Sequence, residues 1–175
     1  KVDRLRQHSG ILEPVEQLDP YREWRRRDDE NLEKQLADLF AINDREQLTA
    51  HLEDILQRPL APDERARALA VGLELSPRLG EQFASGLLME VVPLDRKLKD
   101  PVVRANLLEK GLQIAAHFDQ STAVTDAFQR MTALLKGLQD ADVTTLQAIE
   151  SLLSRSFITL RKMGMRDEIA FLLDS

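Results

Sequence analysis

The side chains able to do chemistry are few and scattered along the chain. Three histidines occur, His8, His51 and His117. None sits in a His-Glu-x-x-His arrangement, which would place two imidazoles on one helix face beside a general base. His51 has Asp54 three residues on, and His117 has Asp119 close by, yet a zinc site asks for three or four converging ligands. His117 falls near an expected helix C-terminus, where a partly cationic ring complements the helix dipole, so structural or surface roles are expected for all three. The acid pairs Glu53-Asp54, Asp63-Glu64 and Asp167-Glu168 are adjacent in sequence. Neighbouring residues on a helix do not share a face, so these carboxylates do not converge unaided on one substrate atom. Ser85-Gly86 lacks the Gly-x-Ser-x-Gly elbow of a serine hydrolase, and Gly72, Gly80, Gly86, Gly111 and Gly137 are dispersed rather than gathered into a phosphate-cradling loop. With no cysteine there is no thiolate metal site, disulfide or cysteine nucleophile. The expectation is no catalytic residue, no cofactor and no metal.

The sharpest surface signal is Tyr21-Arg-Glu-Trp24-Arg-Arg-Arg27. Tyr21, Trp24, Arg25, Arg26 and Arg27 are the candidate partner-binding residues, because aromatic and Arg side chains are the favoured anchors of protein interfaces. Such residues also suit nucleic-acid backbones, but Asp28-Asp29-Glu30 cancels the local field, and a net charge of −6 argues against a general phosphate-binding surface. The bland alternative is a solvated helix with Trp24 packed inward. The expected partner is another protein or another domain of the same chain.

The elements that must position these residues read as helices. Leu, Ala, Glu, Arg, Gln and Lys dominate, and these lose least on entering a helix. A chain of 175 residues that is 43% hydrophobic can bury one core or several stacked helix pairs. No stretch has the roughly 18 apolar residues of a membrane span, and Lys1–Gly10 lacks the apolar core of a signal peptide. The lack of cysteine suits a reducing compartment, so a cytoplasmic location is expected. Because the chain opens on Lys1 and stops at Ser175 just after an apolar run, it is expected to be a fragment of a larger protein. Residues 1–18 are expected to be loop or a short helix, and 19–175 one all-helical domain.

Local signals set the expected boundaries. Asp19-Pro20 opens a helix that runs to about Ile42 or breaks near Asp28-Asp29, with Leu32, Leu36, Leu39 and Phe40 on its stripe. Asp44 caps the next, which carries Leu48, Leu52, Ile55 and Leu56 and ends at Arg58-Pro59. Pro62-Asp63-Glu64 opens another, Ser76-Pro77 begins the one after, and Pro93 ends that one, leaving Leu94–Lys99 as a connector. Asp100-Pro101 starts a helix whose apolar sector is wide enough to be contacted from several sides. Ser121 or Thr122 caps the next, Gly137 closes it, Asp140-Ala-Asp142 starts a long helix ending at Gly164, and Arg166–Leu173 forms a final short one.

Within this order the stretch Asn106–Phe128 reads as a helix, a tight connection and a second helix lying back on the first. Three places share that layout: Gly72-Leu-Glu-Leu before Ser76-Pro77, Gly111-Leu-Gln-Ile before His117, and Phe157-Ile-Thr-Leu before Gly164. Leu73 and Leu112 are 39 residues apart, and Leu112 and Ile158 are 46 apart (112 − 73 and 158 − 112). Two-helix periods of about 34–47 residues are those of helical solenoids. Over roughly residues 44–173 the chain resembles the tetratricopeptide/HEAT-like class of α-helical repeat proteins, although the Trp-x2-Leu-Gly-x2-Tyr signature is absent. The resemblance implies a right-handed stack of antiparallel helix pairs, an α-solenoid-like fold of about seven or eight helices, with one face binding another protein. An irregular all-α bundle is the alternative. The expected function is a non-catalytic interaction or scaffold module; the alternatives are a helical accessory domain of a multidomain enzyme or signalling protein, and an enzyme whose acids and histidines meet only in three dimensions.

Overall fold

In a computed structural model, residues 31–138, 141–165 and 170 are described. These residues are all-helical, with seven helices: α1 (31–39), α2 (Arg45–Gln57), α3 (Pro62–Leu79), α4 (Glu81–Asp95), α5 (Pro101–His117), α6 (Ser121–Lys136) and α7 (Val143–Lys162). Their starts follow capping chemistry. Asp44 Oδ1 accepts from Gln47 N at 2.8 Å, Asp100 Oδ1 from Val102 N at 2.8 Å, and Asp142 Oδ1 from Thr145 N at 2.9 Å, each satisfying an amide that the helix leaves unpaired. At α3 the bond runs the other way, from Ala61 N to Glu64 Oε2 at 2.7 Å.

The helices pack as antiparallel pairs. Arg45 at the start of α2 donates to the Leu79 carbonyl at the end of α3, while Arg65 in the first turns of α3 donates to the Leu56 carbonyl at the end of α2. Each guanidinium thereby satisfies a carbonyl at its neighbour's negative end. Helix α5 is the hub, packed against α3, α4, α6 and α7, so its wide apolar sector is used on several sides as expected. Helices α3, α5 and α7 lie side by side, and α4 and α6 rest in turn on α3/α5 and α5/α7. Leu69, Leu73, Leu108 and Leu112 are fully buried between them, each contributing about 1.5–3 kcal/mol through its removal from water. Phe128 and Phe157 close the α6–α7 seam edge to face at 4.9 Å.

Several expected boundaries shift. Ser76-Pro77 does not begin a helix; α3 runs through Pro77 to Leu79 and ends at Gly80. Pro77 has no N–H for the Leu73 carbonyl one turn back, and Ser76 Oγ replaces it at 2.7 Å. Pro93 does not end α4, which continues to Asp95. The carbonyl left without a donor there belongs to Met89, whose residue is 79% exposed, so water can take the missing place. Neither Ser121 nor Thr122 caps α6; Gln120 occupies that position without a side-chain cap bond. Phe40 lies just beyond α1 and is exposed rather than on its buried stripe, whereas Leu32, Leu36 and Leu39 are buried. The final helix expected over Arg166–Leu173 lies outside the described residues except for Ala170, which is helical.

The segments 62–80 and 101–119 correspond position by position at an offset of 39 (101 − 62). Pro62/Pro101, Arg65/Arg104, Ala66/Ala105, Leu69/Leu108, Gly72/Gly111 and Leu73/Leu112 are identical pairs. Both segments finish on a positive φ, at Gly80 (97°) and at Asp119 (56°). Helix α7 also ends that way, at Gly164 (φ 75°). The ends of α5 and α7 share one hydrogen-bond scheme: Gln120 N donates to Ala115 O at 2.8 Å, and Met165 N donates to Leu160 O at 3.1 Å, the long bond of a Schellman motif.

Candidate partner-binding site

Helices α2 and α4 are not neighbours in sequence, and between them, over α3, lies an open groove of about 640 Å³. Its α2 wall carries Arg45, Thr49, Glu53, Leu56 and Gln57, and its α4 wall carries Gln82, Phe83, Gly86, Leu87 and Glu90. Leu79 and Arg65 supply the α3 contribution. Apolar side chains line the depth while polar ones ring it, the division expected of a surface that buries part of a partner. The two arginines are already committed. Arg45 holds the Leu79 carbonyl, and Arg65 bridges the Leu56 carbonyl to the Glu90 carboxylate. Arg65 thereby ties both walls to α3, and Arg45 ties the α2 wall to it. A Cβ built at Gly86 meets nothing within 4 Å, so that position is open to the groove.

A second polar centre sits where α4, α5 and α6 meet. The Asp95 carboxylate, only 2% exposed, accepts from Arg104 Nε at 2.9 Å and faces Arg130 Nη1 at 3.8 Å. Arg130 also donates to Asp126 Oδ2 at 2.8 Å. That hydrogen bond, with the two negative charges of Asp126 and Asp95, raises the guanidinium's pKa above its usual value. A cavity of about 350 Å³ adjoins this cluster. The cluster parallels the contact of Arg65 with the end of α2, since Arg104 corresponds to Arg65 and Asp95 stands 39 residues after Leu56 (95 − 56). Its geometry is that of a structural clamp between helix ends, with both guanidinium groups turned inward to the carboxylate.

The third centre is Glu109 on α5, fully buried, at the position Ala70 holds in α3. Gln113 donates to its Oε1, Arg155 Nε of α7 stands 3.7 Å from the same oxygen, and Oε2 is buried without a partner. Burial pushes the carboxyl pKa up, against the opposing pull of Arg155 and Lys110. Ion pairs link successive odd-numbered helices: Arg67 of α3 to Glu33 of α1, Lys110 of α5 to Glu74 of α3, and Arg155 of α7 to Glu109 of α5.

The described chemistry-bearing residues singled out from the sequence stay apart. His51 Nδ1 lies 2.7 Å from the Gln47 carbonyl on an exposed face, and exposed His117 meets the Phe118 ring edge at 4.8 Å. Among the described residues no group of three or more His, Asp or Glu is placed to hold a metal. Asp54 pairs with Arg58, Glu64 accepts from Ala61 N, and Ser85 Oγ accepts from Gln120 Nε2 at 2.9 Å. Among the described members of the acid pairs, Glu53 alone lines the groove. His8, Tyr21, Trp24, Arg25, Arg26, Arg27, Asp167 and Glu168 lie outside the described residues. Sequence reasoning missed Asp95, Arg104 and Glu109. Aligning 62–80 with 101–119 exposes the last of these, because it sets a charged residue on a buried alanine position.

No described helix is long and apolar enough to cross a membrane. A family model described as Domain of unknown function (DUF8586) matches residues 1–175. The chain belongs to that family. No curated protein and no solved structure gives a significant match.

Proposed function

For this member of the DUF8586 family, we propose a non-catalytic, helical-repeat-like module that binds another protein, or another domain of its own chain, through the groove between α2 and α4. The observation that carries this reading is the groove itself: two helix walls tied to α3 by Arg45 and Arg65, with Leu56, Phe83 and Leu87 lining it and Gly86 left open. A helical or extended segment laid between two helices buries apolar side chains there while its flanks meet Thr49, Gln57 and Gln82. Two features support the repeat character. The segments 62–80 and 101–119 correspond at an offset of 39, and α3, α5 and α7 pack in sequence as every second helix. Tyr21, Trp24 and Arg25–Arg27 remain the second candidate surface.

The test uses the full chain as bait in quantitative affinity capture. Gly86→Trp fills the groove from a position that meets no neighbour, so the fold is retained, and circular dichroism checks that it is. Partners recovered by the wild type and lost by Gly86→Trp and Phe83→Ala support the groove. Partners lost only on Trp24→Ala move the interface to the 21–27 segment. Equal recovery with all three variants overturns the proposal.

A further inference from the structure

Glu109 is not used by the groove, and its surroundings are unusual for a structural carboxylate. It is fully buried, and one of its oxygens has no partner. The charges acting on it come from three directions: Arg155 on α7, Lys110 beside it on α5, and Glu74 on α3. Lys110 is held by Glu74 at 2.9 Å. Arg155 approaches only to 3.7 Å, and its side chain is 55% exposed. The buried charge contributed by α4, Asp95, and its α6 partner Arg130 belong to the separate cluster with Arg104. An ionised Glu109 is thus buried with incomplete compensation, and a buried charge has two ways out: it takes up a proton, or the seam around it opens to water.

We propose that Glu109 is a proton-operated latch on α7: with the proton bound, α7 closes on α5, and on ionisation the α5–α7 seam loosens to hydrate the carboxylate. The seam is the right place for such a device. Among the described residues Arg155 is the one opposite charge reaching Glu109 from another helix, and it is carried by α7. In α3 the corresponding residue is Ala70, which buries no charge against α5. The sign follows from the raised pKa in the fold. A carboxyl whose pKa is higher folded than unfolded stabilises the fold below its unfolded pKa and loses that contribution as pH rises through the folded value. Acidification from neutral pH should therefore tighten α7. Asp142, at the start of the same helix, has its pKa lowered by the hydrogen bonds from Thr145 and works in the opposite sense, so the readout is a difference from a variant that keeps Asp142.

Amide hydrogen exchange, normalised to the intrinsic rate at each pH, is measured on the full chain for wild type, Glu109→Gln and Glu109→Ala. In the wild type, protection of α7 relative to α3 should rise on going from neutral to mildly acidic pH. In both variants it should already be high at neutral pH and should lack this rise, with the thermal midpoint of Glu109→Gln up by about 2–4 °C. Arg155→Gln should lower α7 protection at neutral pH in the wild type and change nothing in Glu109→Gln. The same pH dependence in wild type and Glu109→Gln overturns the proposal, as does a change spread evenly over α3, α5 and α7. Glu109→Ala, which copies Ala70, keeps the test decisive if Glu109→Gln folds poorly.

Discussion

Ser76 Oγ donates to the Leu73 carbonyl at 2.7 Å, the same carbonyl that Pro77 leaves without its helical N–H. Both Ser76 and Leu73 are fully buried, so no water can take the hydroxyl's place. The bond explains how α3 passes a proline without breaking. It also explains why Ser-Pro reads as a helix start from sequence alone: the serine that would cap a new helix repairs the old one.

Ser76→Ala should therefore cost about 1–3 kcal/mol, the usual penalty for a buried carbonyl left unpaired. Pro77→Ala restores an N–H to that carbonyl, so the double variant should be far less destabilised than the sum of the two changes. Helix α5 already carries Ala115-Ala116 at these positions. Urea denaturation of the four members of the cycle measures the coupling, and simple additivity would show that the hydroxyl is dispensable.

The turns closing α3 and α5 predict opposite effects from exchanging glycine and a side chain. Gly80 adopts φ 97° and ψ 166°, a region nearly closed to other residues, and a Cβ there would stand 3.2 Å from Arg45 Nη2. Gly80→Ala should lose about 1–3 kcal/mol. Asp119 sits at φ 56° in a turn that glycine adopts without strain. Asp119→Gly should leave the fold as stable or gain about 0.5–1 kcal/mol. The thermal midpoint should fall in Gly80→Ala and hold or rise in Asp119→Gly, and a fall in the latter would contradict the reading.

Much of the fold was legible where one helix face does one job. Leu48, Leu52, Ile55 and Leu56 are all buried as their spacing requires, and Asp44, Asp100 and Asp142 all cap. The spread of apolar residues on α5 marked it as a helix packed on several sides. What stayed hidden depends on contacts between residues distant in sequence. The groove joins α2 to α4, separated by a whole helix, and no local pattern reports the space between them. Asp95 reads as a surface acid because its partners Arg104 and Arg130 reach it from two other helices. The connection after His117 was legible, but not its backbone form, because Asp119 takes the positive φ that glycine usually signals.

The two matched glycines face different neighbours. A Cβ at Gly72 would lie 3.2 Å from Leu87 Cδ1 and 3.3 Å from Leu52 Cδ2, whereas at Gly111 the nearest atom is Val91 Cγ2 at 3.5 Å. A small cavity of about 50 Å³ lies beside Gly111, lined by Ala127 and Leu88 among others. Gly111→Ala should gain about 0.5–1 kcal/mol from helix propensity with its methyl in ordinary contact. Gly72→Ala should gain less or lose stability, because both leucines must shift. Gly111→Leu overfills the site and should cost about 1–3 kcal/mol. An unchanged melting temperature in that last variant would place Gly111 against solvent and contradict the packing.

The clamp at Asp95 predicts an asymmetry between removing a charge and removing its partner. Arg104→Ala strips the closest described donor from a carboxylate that is 2% exposed, leaving Arg130 at 3.8 Å among the described residues. The loss should be about 2–3 kcal/mol, somewhat below the full penalty for an unpaired buried charge because Arg130 remains. Asp95→Leu instead leaves Arg104 and Arg130, whose side chains are 30% and 26% exposed and can turn toward water. It also installs the residue type that Leu56 supplies at the corresponding end of α2. That variant should lose only about 1 kcal/mol. Equilibrium unfolding of both variants decides the matter: a larger loss for Asp95→Leu than for Arg104→Ala would mean that the carboxylate holds α4, α5 and α6 together by more than its pairing with Arg104.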